Sequence, residues 1–180
     1  MLFSAQIFEA GDGFAVNDCL KLISGKQPLV LGPADGQQTL ARATDLFRHV
    51  DSNFERWSCN VPGPPTSETP VQVYEMVRDG TFQEMFGGFG VALDRLALTQ
   101  AQIKQFVRHY PGWLKQGGNG TFFLFKVGNE FFVAAAYLFS DGRLGARVRH
   151  LSLERGFRAA KRHRLVVKSC EPASLIRFGG

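Results

Sequence analysis

The chain reads as an α+β protein: an antiparallel β-meander over about residues 121–169 packed against helices, with a mixed helical segment at the N-terminus. Three observations predict this. Thr99 and Gln102 form a T-x-x-Q capping box ahead of Ile103, Phe106, Val107, Tyr110 and Leu114, which recur at helical spacing. Two apolar runs, 121–127 and 130–139, flank Gly128-Asn129, a dipeptide suited to a tight hairpin turn. Residues 143–151 then alternate strictly in side-chain character, the period of a strand with two unlike faces.

In chain order, Asn17 or Asp18 is positioned to cap a short helix through Ile23, ended by Gly25. Leu29, Val30 and Leu31 make a short β-like run between Pro28 and Pro33. Leu40, Ala43, Leu46, Phe47 and Val50 follow helical spacing, so a helix is expected over 37–49 with Asp35 as its cap. Prolines at 62, 64, 65 and 70 remove backbone donors and fix φ, marking 60–70 as a connector. Its P-x-x-P spacing reads as plain linker rather than as a partner-binding motif. Residues 71–77 are rich in β-formers. Asp79-Gly80 makes a turn, and Thr81 caps a short helix from Phe82 that Gly87-Gly88 ends. Residues 93–98 are expected as a short helical turn or an irregular bridge. The helix over 99–114 should stop or kink near Tyr110, because Pro111 cannot continue it. Residues 163–169 are expected as a last strand. The domain reading is an N-terminal mixed or helical segment (1–59), the Pro-rich connector (60–70), and an α+β domain with a basic C-terminal sheet (71–180).

Composition bounds the class. At 180 residues, with 44% hydrophobic and 21% charged residues, the chain is of ordinary globular make-up. Its 17 phenylalanines imply a core built on aromatic packing. Cys19, Cys59 and Cys170 are widely spaced and form no C-x-x-C, which argues against a disulfide framework or a zinc site; three free thiols are expected. Residues 1–11 lack the basic start of a secretion signal and carry Glu9, and no apolar run is long enough to cross a bilayer. The expectation is a soluble, cytoplasmic protein with no membrane contact, no cofactor and no metal.

Charge is the one directional signal. The forty residues from 141 to 180 carry ten Lys/Arg and three Asp/Glu, a net of +7, whereas residues 1–140 carry eleven and thirteen, a net of −2. Such asymmetry points to an anionic partner, nucleic acid or an acidic protein. Arg143, Arg147 and Arg149 share one side of their strand, with about 6 to 7 Å between alternate positions. Arg164 and Lys168 are expected on the neighbouring strand, and Arg155, Arg158, Lys161 and Arg162 in the connection between the two. If they converge, these nine cations form one phosphate-binding patch. Arginine dominates, and its planar fork binds phosphate bidentately and stacks on bases.

Single-strand binders pair such a groove with exposed aromatics. Phe157 and Phe178 are the candidates because they lie among the basic residues. Phe122, Phe123, Phe125, Phe131, Phe132 and Phe139 are expected in the core. The leading reading is therefore a non-catalytic binding protein for RNA or single-stranded DNA. An adaptor docking an acidic protein is the alternative. A metal-free nuclease using His150, His163 and Glu154 is the third, since a histidine pair beside a carboxylate can move protons on a phosphate ester. The basic face can also serve only to keep a β-sheet soluble.

The remaining motifs carry less. The Gly117–Gly120 turn lacks the Lys-Ser/Thr and the helix start of a phosphate-binding loop. Residues 86–90 are glycine-rich without a dinucleotide fingerprint, Ser58-Cys59 lacks a nucleophile context, and the terminal Gly179-Gly180 is read as a frayed end.

Overall fold

The computed structural model describes residues 17–25 and 29–170. The readings placed on residues 1–11, Pro28, Phe178 and Gly179-Gly180 lie outside them.

The described residues form one eight-stranded mixed sheet. Its strands are β1 (Leu20–Leu22), β2 (Leu29–Leu31), β3 (His49–Val50), β4 (Thr69–Met76), β5 (Gly120–Val127), β6 (Glu130–Leu138), β7 (Leu144–His150) and β8 (Arg164–Lys168). Across the sheet they run β1-β4-β8-β5-β6-β7-β3, with β2 also paired to β4. Three α-helices accompany them: α1 (Asn53–Arg56), α2 (Phe82–Gly87) and α3 (Gln100–His109). The α+β class holds. Among the described residues no helix is long and apolar enough to cross a membrane.

β5, β6 and β7 make the expected antiparallel meander, with Phe123 opposite Ala134 and Ala134 opposite Val148. Gly128 takes φ 59°, the left-handed turn conformation the hairpin requires. The last strand departs from the meander. β8 does not follow β7; the long connection carries it back across the sheet, where it lies antiparallel to β4 and parallel to β5. The strands on either side of residues 60–70 share this sheet, since β1 and β2 both pair with β4.

Each face of the sheet carries a buried apolar cluster. Alternation along each strand assigns its residues to one face or the other. On the first face, Phe123, Phe125, Ala134, Ala136, Val148 and Val166 pack against Ile103, Phe106 and Val107 of α3. On the second, Phe122, Leu124, Val133, Ala135, Leu165 and Val167 pack against Phe82, Met85 and Phe86 of α2. A helix therefore packs on each face. A sheet with two apolar faces needs two covers.

Local chemistry explains the helices. In α3 the Thr99 hydroxyl accepts from Gln102 N–H (3.2 Å) and the Gln102 carboxamide accepts from Thr99 N–H (2.9 Å). The helix ends at His109, and Pro111 begins a separate 3-10 turn. Thr81 and Glu84 form the equivalent box on α2.

Two expected helices are absent. The segment 17–23 holds strand β1 instead, and the Asn17 amide donates to the Met85 carbonyl (2.6 Å). Over 37–49 there is one 3-10 turn, Leu40–Arg42, followed by β3. Leu40, Ala43 and Phe47 are buried as their spacing implied. The backbone beyond them is captured by β7, through Arg48 N–H to Leu144 (2.8 Å) and Asp51 N–H to Ala146 (2.9 Å). Asp35 caps no helix; its carboxylate accepts from Gln37 N–H (3.0 Å) in a local turn. Cys19, Cys59 and Cys170 are free thiols, and burial pushes the Cys59 thiol up to about 11.

Candidate functional site

Among the described residues, nothing covers the second face of the sheet beyond α2, over β6 and β7. A cavity of about 630 Å³ opens there. Phe122, Ala135 and Tyr137 form its floor, and Ala135 supplies depth because its side chain is small beside Phe122. Arg147 and Arg149 project from β7 along one side. Ala135 is register partner to Arg147, and Val133 to Arg149, so both arginines stand on this face. The other side is the connection between β7 and β8, which contributes Arg155, Phe157, Arg158 and Lys161.

That connection is held by the turn the Asp79-Gly80 pair marked. Gly80 and Phe157 exchange both backbone hydrogen bonds (3.1 and 2.8 Å), and the Asp79 carboxylate accepts from Ala159 N–H (2.7 Å). The backbone comes close to its neighbours here: a Cβ on Gly80 would stand 3.1 Å from Cys19 Sγ. Phe157 packs on Phe82 (4.6 Å between centroids) and Phe122 (5.0 Å), which fixes the connection above the floor. Arg162 takes φ 47°, turning the chain into β8.

Five cations thus line one cavity, and among the described residues no carboxylate lines it. Arg147 sits over the Tyr137 ring, 4.9 Å from its centroid. Arg149 is braced by the Asp51 carboxylate (3.1 Å) and the Val148 carbonyl (2.8 Å). At the end of the cavity His163 stacks on Phe122, and its Nδ1 lies 3.0 Å from the Gly120 nitrogen and 3.3 Å from the Gly120 carbonyl oxygen. Burial holds this imidazole below its ordinary pKa; the Gly120 carbonyl opposes this, and Lys115 and Lys161 push it further down.

Four of the nine expected phosphate contacts stand elsewhere. Arg143 is paired with Asp141 (2.5 Å) beside the turn before β7. Arg162 is exposed but does not line the cavity. Arg164 and Lys168 lie on the opposite face, because β8 joins β5 with Arg164 beside Thr121 and Val166 beside Phe123. Arg164 binds Glu75 (3.4 Å) and the Trp113 carbonyl (2.9 Å). Lys168 lines a separate cavity with Asp94 and Lys126, and burial lowers its pKa.

The nuclease arrangement is not assembled. His150 pairs in register with Phe132 on the first face and stacks on Trp57 (4.3 Å), whereas His163 lies on the second face. Glu154 is exposed and lines no part of the cavity. Among the described residues no group of three His, Cys, Asp or Glu side chains is placed to hold a metal.

Phe157, expected as an exposed aromatic among the cations, is half-buried and lines the cavity. Phe122, Phe123, Phe125 and Phe132 are core, and Phe131 is half-buried; Phe139, expected in the core, is 37% exposed. Tyr137 was missed by sequence reasoning; His163, named only with His150 and Glu154, stands in the cavity without either of them. For Tyr137 the signal was present: it falls on the same alternation as Ala135 and opposite the arginine strand. No family model, no curated protein and no solved structure matches the chain. The chemistry of the site alone carries the functional reading.

Proposed function

We propose that the protein is a non-catalytic binding protein for single-stranded nucleic acid, RNA or single-stranded DNA, seated in the basic cavity between β7 and the connection that follows it. The convergence of five cations on one carboxylate-free cavity floored by aromatic rings supports this reading most strongly. Cations alone attract any polyanion. Arginines beside accessible rings suit a ligand that offers phosphate and a flat base together. Tyr137 is half-buried under Arg147, and Phe157 faces the same space. The cavity is a recess in a sheet, which admits an unstacked strand more readily than a rigid duplex.

Fluorescence anisotropy with a labelled twelve-nucleotide single strand tests this. Saturable binding that weakens with salt, and that exceeds binding to the matching duplex, is the expected result. Binding to polyglutamate with none to either nucleic acid would overturn it in favour of an acidic protein partner.

A further inference from the structure

Resting on that reading, we propose that the binding track continues across β7 into a second cavity at the β3 edge, so that the site takes a strand of about four nucleotides, the lower end of the range for sheet-based single-strand sites. The second cavity measures about 390 Å³ and shares Tyr137, Arg147 and Arg149 with the first. The two are therefore neighbours over one row of side chains. Register places both on one face: Gly145 is partner to Tyr137 on β6 and to His49 on β3. From Phe122 on β5 to His49 on β3 the track crosses three strand spacings, roughly 14 Å.

The chemistry of the two cavities differs in a complementary way. The first is cationic and suits phosphates. The second is lined by Phe139, His49 and Asn53, with Asp51 already engaged by Arg149. Phe139 is the only aromatic among the exposed large hydrophobic residues described. Its ring is given room by Gly145, where a Cβ would stand 3.3 Å from it. An exposed ring beside amide and imidazole groups, one step from a pair of arginines, is a platform for a base whose phosphate lies on Arg147 and Arg149. Phe139 is assigned to stack that base, and His49 and Asn53 to meet its edge.

The test is anisotropy with labelled oligouridylates of two, four and eight nucleotides. Affinity should rise from two to four and then level off. Phe139→Ala should weaken the four-nucleotide complex about fivefold or more, the low end for loss of one base stack, and leave the two-nucleotide complex unchanged. His49→Ala, a change at an exposed residue, provides a second variant should Phe139→Ala unfold. Saturation at two nucleotides, or four-nucleotide binding indifferent to both variants, overturns the extended track while leaving the basic cavity standing. No binding at any length overturns both.

Discussion

Neutralising Arg147 and Arg158 together should lower the salt dependence of binding by a calculable amount. Both line the cavity, and neither is tied to a carboxylate among the described residues. Arg149 is the poorer choice, since its loss would leave Asp51 unpaired beside the ligand. For single strands, log affinity falls with log salt at about −0.7 per phosphate neutralised. If each of the five lining cations meets one phosphate, the slope is about −3.5, and raising salt from roughly 50 to 200 mM costs about 130-fold in affinity. Arg147→Gln/Arg158→Gln should bring the slope to about −2.1 and the loss to about 18-fold. Lys168→Gln, on the opposite face, should leave the slope unchanged. Anisotropy titrations at four salt concentrations measure all three. An unchanged slope in the double variant, or an equal drop in Lys168→Gln, would show that the cavity cations are not the phosphate contacts. Thermal melts should show the double variant folded, because exposed substitutions of this kind cost within about 0.5 kcal/mol.

Three further outcomes follow from the packing. Phe82→Ala removes a fully buried ring packed edge-on against Phe122 and tilted against Phe157; chemical denaturation should show a loss of about 3–5 kcal/mol, and binding should weaken as the connection loosens. Thr99→Ala breaks the capping box of α3 and should cost about 0.5–2 kcal/mol by the same assay, with binding retained. His163 is held below its ordinary value of 6.5 by burial, so the unfolded chain takes up the proton first as pH falls. Its contribution to stability is complete above that value and is lost as pH drops toward the folded-state pKa. Urea denaturation at pH 7.5 and 5.5 should show a smaller fall for His163→Gln than for the unaltered protein; equal falls would assign the acid sensitivity elsewhere.

What was legible in the sequence was local. The boxes at Thr99 and Thr81, the hairpin at Gly128 and the alternation of Arg147 with Val148 are each written within a few residues, and each is realised. What was not legible depends on distant partners. The helical spacing of Leu40, Ala43 and Phe47 reported burial correctly, yet the backbone beyond them pairs with β7, a hundred residues away. Gly36 is likewise held in a left-handed conformation, where a Cβ would collide with the Gly63 and Pro64 carbonyls. The site divides along the same line. Alternation placed Arg147 and Arg149 together, but the face taken by Arg164 and Lys168 depends on β8 inserting between β4 and β5, a register no spacing within 163–169 encodes. Exposure of Phe139 escaped notice for a similar reason: its run is apolar, but it stands past the end of β6, beyond the reach of α2.

The location of the bound strand is tested most directly by photo-crosslinking. The protein is irradiated with a 4-thiouridine oligonucleotide and the adducts are mapped by mass spectrometry. Adducts on Tyr137 and Phe157, competed away by unlabelled single strand and lost at high salt, are the expected result. Adducts confined to the opposite face, around Lys168 or Trp113, would contradict the assignment of the cavity.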